Sequence, residues 1–227
     1  MRKTVRRTEL MGAVAGGLSM MMCGMALASP SGLNNIPTVD IAPRNVLVLQ
    51  TWGNFMSGEG PASVAGLKYG LPAGVEVGLD SRVDSGDSGP LTGQAKWRLP
   101  LPGDEPCYAM LVGVANVSDD RDEAGEADPY LVSGLDLGVA RLSLGYSFQK
   151  DNNSLFAGLD KALKLQSRGL VLRADVRQID DGDEWLVSAG LLHELPLDLV
   201  FEGWVSTSSA DGAEDVYTVK FNYVIAF

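Results

Sequence analysis

The chain has 227 residues, 45% hydrophobic and 7% aromatic, with 29 acidic against 18 basic side chains and a formal net charge of −11. Such an acidic balance excludes nucleic acid as a partner by plain repulsion. One histidine and two cysteines are too few for a zinc site or a disulfide-stapled scaffold.

Residues 1–28 read as a secretory leader. A cationic start (Arg2, Lys3, Arg6, Arg7) precedes the apolar, Met-rich stretch Met11 to Met25 and the small-residue box Ala26-Leu27-Ala28, so cleavage before Ser29 is expected. Arg6-Arg7 would suit the twin-arginine route, but that route carries folded cargo, and Cys23 follows a poor lipobox, so Sec-type export is the reading. Removing the 28-residue leader leaves 199 residues with a net charge of −14 and one cysteine, Cys107, in an oxidising compartment. Residues 29–44, including the unusual Gly32-Leu33-Asn34-Asn35-Ile36-Pro37-Thr38, read as an irregular periplasmic lead-in to a barrel spanning 45–227.

Beyond the leader no uncharged apolar run reaches the roughly 18 residues a spanning helix needs. What recurs is a segment of period-two alternation bounded by turn residues. Twelve such strands are predicted, at 45–55, 62–70, 75–83, 91–99, 107–117, 130–137, 139–149, 155–163, 170–179, 185–194, 197–207 and 216–227. In Val75 to Arg82 the odd positions form an apolar face with Glu76, Asp80 and Arg82 opposite; in Arg141 to Phe148 the apolar set is Leu142, Leu144, Tyr146 and Phe148. Segments 107–117 and 185–194 are apolar on both faces, which leaves their sides open.

The connections alternate between two classes. Mostly short ones marked by Pro or Gly (71–74, 99–106, 138, 164–169, 195–196) take turns with polar, largely acidic ones (56–61, 84–90, 118–129, 150–154, 180–184, 208–215). Short turns on one side and longer loops on the other is the pattern of outer-membrane barrels, whose short side is periplasmic. An even strand count then puts both termini there.

Unpaired backbone groups cost several kcal/mol each in hydrocarbon, so a meander in lipid closes, its first strand on its last. A soluble sandwich or lipocalin-like barrel shows the same alternation but packs its second face with apolar or ligand-lining groups. Here that face carries eight basic residues (Lys68, Arg82, Lys96, Arg98, Arg141, Arg173, Arg177, Lys220) and seven acidic ones (Glu76, Asp80, Asp136, Asp160, Asp175, Asp198, Glu202). Near-balance suits ion pairs in a narrow lumen. The residues expected to line it are Glu76, Asp80, Arg82, Lys96, Arg98, Arg141, Arg173, Asp175, Arg177, Glu202 and Lys220. Trp52, Trp97, Trp185 and Trp204, with Tyr69, Tyr108, Tyr146 and Tyr223, are expected to form interfacial girdles.

In the last segment every second residue back from Phe227 is apolar or aromatic: Ile225, Tyr223, Phe221, Val219, Tyr217. This resembles the C-terminal β-signal of bacterial outer-membrane β-barrel proteins. The resemblance implies a transmembrane up-and-down antiparallel barrel, insertion into the outer membrane by the barrel-assembly machinery, and contact with lipid and lipopolysaccharide. Phe221, Tyr223, Ile225 and Phe227 are the residues that machinery would read.

The function expected is a narrow pore for small solutes or ions, resting on the charged inner face and the absence of a plug domain. The alternative is a structural or surface-interaction barrel with a filled lumen, and a lipid-modifying enzyme comes third. Against the last, His193 sits at a short-turn end with no serine two residues away, unlike the His-x-Ser arrangement of outer-membrane phospholipase A. No cofactor or resident metal is expected. Asp119, Asp120, Asp122, Glu123, Glu126 and Asp128 crowd the 118–129 loop, which suggests at most weak divalent-cation contact, since the D-x-[DN]-x-[DN]-G order is missing.

Overall fold

The computed structural model describes residues 32–56, 62–84, 87–101, 107–149, 152–165, 168–179 and 183–227. The expected leader and its cleavage site lie outside the described residues.

Twelve strands follow one another: β1 Val46–Phe55, β2 Ala62–Leu71, β3 Val75–Asp84, β4 Asp87–Arg98, β5 Tyr108–Val117, β6 Asp128–Asp136, β7 Arg141–Gln149, β8 Asn152–Leu165, β9 Arg168–Ile179, β10 Glu184–Glu194, β11 Leu199–Ser208 and β12 Val216–Ala226. Each pairs antiparallel with its sequence neighbours, and β1 closes on β12 in register from Val46↔Ala226 to Phe55↔Tyr217. Phe227 N–H donates to the Asn45 carbonyl at 3.0 Å, so both ends of the barrel chain meet at the short-turn rim. Closure leaves no edge strand, the condition lipid imposes.

Outside, the alternation presents Leu49, Leu67, Leu79, Leu91, Leu144, Leu155, Leu172 and Val187 as exposed side chains. An apolar belt of this extent in water would associate, whereas acyl chains cover it without loss. Aromatic rings border it: Trp97, Tyr108 and Tyr223 toward the short-turn end, and Phe55, Phe148, Trp185 and Tyr217 toward the other.

Two differences concern the connections. Strands run further than the alternation predicts: β4 begins at Asp87 and β8 spans Asn152–Leu165, so only residues 85–86, 150–151 and 166–167 separate the strands there. Backbone pairing stays favourable past the apolar belt, so polar residues expected in loops join the ladders. The loop asymmetry therefore rests mainly on 118–127, which holds a single helical turn, α1 (Arg121–Ala124), and on 209–215.

The larger difference is inside. Residues 32–43 do not form a lead-in outside the barrel; they occupy its lumen, and Arg44 leaves it at the short-turn end. Leu33, Ile36, Val39 and Ala42 are 2–6% exposed and Thr38 is fully buried. A tight turn, closed by Leu33 N–H on the Ile36 carbonyl at 2.9 Å and by the Gly32↔Pro37 bridge, puts Asn34-Asn35 at its tip. The cause is the inner face of β5–β8, where Ala109, Leu111, Tyr130, Val132 and Phe156 point inward and pack with Leu33, Ile36 and Val39 in one cluster. An apolar inner wall has no solvent to prefer, so the segment buries it. Gly134 and Gly158 make the room: a Cβ at Gly134 would stand 2.6 Å from Val39 Cγ2, and one at Gly158 2.8 Å from Ile36 Cδ1.

Candidate functional site: a divided lumen

Strand parity fixes which side chains meet inside. Glu76, Lys96, Asp160, Arg173, Asp175 and Glu202 are each under 9% exposed and lie on the inward parity of their strands, as does the less buried Lys220. Arg82 and Arg98 share that parity but are exposed near opposite ends of the barrel. Asp136 ends β6 and Asp198 lies in the short turn before β11; both are exposed, and Asp136 accepts the Gly138 N–H at 2.7 Å.

The inward charges fall into separate clusters. Arg173 and Glu202 pair directly, each side chain 3% exposed, and Asn222 Nδ2 donates to the other Glu202 oxygen at 2.7 Å. Lys220 Nζ stands 3.9 Å from that same oxygen and 5.1 Å from the centre of the Trp52 ring. Arg177 donates to Ser154 Oγ and to Asp128 Oδ2, both at 3.0 Å. Asp128 therefore leaves the acidic loop set and turns inward. Among the described residues no three His, Cys, Asp or Glu side chains are placed to hold a metal ion.

The lumen segment engages these clusters from the centre. Asp40 meets Arg141 as a two-pronged pair, Nη1 to Oδ1 and Nη2 to Oδ2 at 2.7 Å each, while Arg141 Nε donates to Asp160 at 2.9 Å. Burial alone would raise the Asp40 carboxyl; the Arg141 guanidinium, helped by the Thr38 hydroxyl and Lys96, more than offsets this and holds it below its ordinary value. Ala42 N–H donates to Glu76 Oε2 at 2.6 Å, and Asn35 Nδ2 reaches Ser188 Oγ and Ser206 Oγ at 2.6 and 2.7 Å. The Asp175 carboxylate faces the Asn34-Asn35 tip. Residues 38–43 thus cross the lumen like a strap near the short-turn end, from Gly70 and Glu76 to Gly134 and Arg141.

On the other side the lumen stays open as a cavity of about 340 Å³. Residues 32–37 form one wall, and β1, β2, β4, β11 and β12 contribute Trp52, Lys68, Lys96, Trp204 and Lys220 among others. Trp52 and Trp204 are therefore lumen residues and not girdle residues. Their parity with Gln50 and Glu202 was the available signal.

No protein-family model matches the chain, and no curated protein matches it in sequence. Solved structures do match in shape. The "KdgM porin" is similar at TM-score 0.59 with 10% identity, covering 78% of this chain and 98% of its own. The "NanC porin" is similar at TM-score 0.53 with 12% identity over 77% and 98%. The COG4313 outer-membrane channel from Pseudomonas putida F1 is similar at TM-score 0.52 with 12% identity over 82% and 98%. The fold is thus the closed β-barrel of outer-membrane porins and channels.

Proposed function

We propose that this protein is a narrow outer-membrane channel for small polar solutes, with a bore set by its own N-terminal segment. One observation carries the reading: the charged cavity of about 340 Å³ that remains after residues 32–43 cover the apolar patch of the inner wall. Twelve strands enclose more space than the eight of a side-chain-filled barrel and less than a general porin, so a segment of a dozen residues suffices to narrow the path. Porins of the same fold support the reading, and for KdgM one structure is described as a complex with disordered oligogalacturonate. The reading is non-enzymatic: His193 lies on the outward parity of β10, its Nδ1 3.1 Å from the Gly169 carbonyl, where a structural contact explains it.

The same reading puts the short turns and both termini in the periplasm and the acidic loops 118–127 and 209–215 at the cell surface, near lipopolysaccharide and its divalent ions. It makes the outward stripe Phe221, Tyr223, Ile225 and Phe227 the segment read by the barrel-assembly machinery during export and closure.

Purified mature protein in planar bilayers tests the proposal. Discrete conductance steps, smaller than those of general porins, are expected. A silent bilayer would favour the second reading, a barrel sealed for structural or surface roles, to which the buried strap 38–43 lends weight.

A further inference from the structure

The outward parity of the twelve strands is nearly devoid of charge. Among the described side chains it carries Lys161 of β8, Arg168 of β9 and His193 of β10, and no carboxylate. Their buried neighbours Asp160, Val171 and Leu192 point into the lumen, which fixes the three as outward. All three lie on adjacent strands toward the short-turn end, where other strands present Trp97, Tyr108 and Tyr223.

The register brings them together. Leu163, Leu170 and His193 stand on one rung of the sheet, with Lys161 one outward position above it and Arg168 one below, next to the β8–β9 turn. Backbone spacings put Arg168 about 8 Å and Lys161 about 12 Å from His193, so long side chains can meet at one headgroup. The β7–β8 ladder ends at Arg141↔Asp160, so Lys161 lies at the rim of the wall and not in its apolar middle. Lys161 and Arg168 are exposed, and Leu163 and Leu172 beside them form an apolar floor. His193 Nδ1, 3.1 Å from the Gly169 carbonyl, is assigned the proton, which leaves Nε2 for a further partner. The carboxylates nearest along the chain are turned elsewhere: Asp160 inward to Arg141, and Glu194 inward to the Gly169 N–H at 2.7 Å. Asp198 lies in the turn before β11.

Cations on a lipid-facing surface are costly unless they meet headgroups. Three basic groups without an acidic one select a negative headgroup, and the arginine fork matches phosphate. We propose that the short-turn end of β8–β10 binds one anionic glycerophospholipid, its phosphate held by Lys161, Arg168 and His193 and an acyl chain laid on Leu163 and Leu172. The inference rests on the periplasmic reading of this rim for the leaflet that supplies the lipid, and it is independent of the channel.

The test is native mass spectrometry of refolded mature protein from micelles doped equally with phosphatidylglycerol and phosphatidylcholine of the same acyl chains, folding being checked by heat-dependent gel shift. One retained phosphatidylglycerol is expected, in preference to phosphatidylcholine. Lys161→Gln and Arg168→Gln should each weaken that preference about fivefold, the effect of one basic group at a charged surface. Arg98→Gln removes an exposed cation on the inward parity of β4 near the same end, and should bind as the parent does. No preference in the parent, or equal loss in the Arg98 variant, overturns the proposal. Should the glutamine variants fail to fold, a photoreactive phosphatidylglycerol on the parent decides: cross-links within 161–172 or at 191–193 support the site, and cross-links elsewhere overturn it. Displacement of the lipid by equimolar lipopolysaccharide overturns the choice of phospholipid. The leaflet is read separately at Cys107, exposed at the same end, with a maleimide too large for a porin. Labelling only after the outer membrane is breached supports the periplasmic leaflet, and labelling of intact cells overturns it. Lipid preference with silent bilayers keeps the site and removes the channel; conductance steps without lipid preference do the reverse.

Discussion

The two halves of this lumen are built on opposite principles. On β5, β6 and β8 the inward side chains Ala109, Leu111, Tyr130, Val132 and Phe156 form an apolar patch, flanked by the inward charges Asp128, Arg141 and Asp160, and the N-terminal segment covers that patch as a second layer would in a soluble protein. Along β12 and β1–β4 the inward side chains include Gln50, Trp52, Lys68, Asp80, Lys96 and Lys220, and a cavity remains. The difference teaches that a barrel wall is filled or left open according to what its inner face can satisfy. Apolar wall recruits chain over its whole patch, whereas charged wall holds it at single points such as Glu76 with Ala42 and leaves a cavity beside it.

The strongest way to break that comparison is to remove the layer from the apolar side. Leu33→Ala and Ile36→Ala should each cost about 2–5 kcal/mol, because each leaves a cavity in a packed cluster. Together they should lower the temperature of the gel-shift transition and raise single-channel conductance. If neither changes, the β5–β8 half is not a core.

On the charged side the largest effect is expected at the fully buried pair. Arg173→Gln leaves the Glu202 carboxylate without its buried ion-pair partner and with only Asn222 and the more distant Lys220; it should destabilise by about 3–5 kcal/mol, and Glu202→Gln added to it should recover part of that loss. Denaturant titration of the single and double variants measures the recovery, and strict additivity would mean the two groups do not act as a pair.

A smaller effect belongs to the strap, which joins the halves. A side chain at Gly70 would meet the Ala42 and Pro43 carbonyls, so Gly70→Val should push the strap from the short-turn end. Faster protease cleavage near residue 40, with higher conductance, checks it; unchanged values of both would mean the strap does not obstruct the path.

The smallest effect is acid dependence. Because the Asp40 carboxyl sits below its unfolded value of about 3.9, its stabilising contribution is complete above that value and fades as pH falls through the native one. The pair with Arg141 is partly exposed, at 30% and 27%, so the contribution is about 1 kcal/mol or less. Conductance attributable to the strap should stay flat from about pH 7 to 5 and rise only below about pH 4. Asp40→Asn should remove that dependence; a rise that persists in it would assign the effect to Asp160 or another carboxyl.

The strands were readable because each of their faces meets a different medium, and a two-residue period records that directly. Val75 to Arg82 and Arg141 to Phe148 show it without ambiguity. The lumen segment was not readable as such, since twelve irregular residues with Leu33, Ile36 and Val39 three apart match no strand or helix period. Its trace lay elsewhere. Strand 107–117 is apolar on both faces, and Gly134, Gly145 and Gly158 leave gaps on the inward parity of three successive strands. A wall that greets the lumen with leucine and glycine implies something to fill it. Among the charges, parity alone assigned the inward set, but the partners depend on cross-barrel geometry. Asp40 with Arg141 is separated by a hundred residues and no local pattern announces it.

The seam carries a consequence for biogenesis. Residues 32–43 come immediately before β1, and their contacts run from β2 round to β11, so this stretch is enclosed by strands synthesised long after it. Joining β1 to β12 closes the cylinder. A barrel closed with the stretch outside would leave the inner apolar patch of β5, β6 and β8 bare, so seating of residues 32–43 and formation of a stable barrel are coupled.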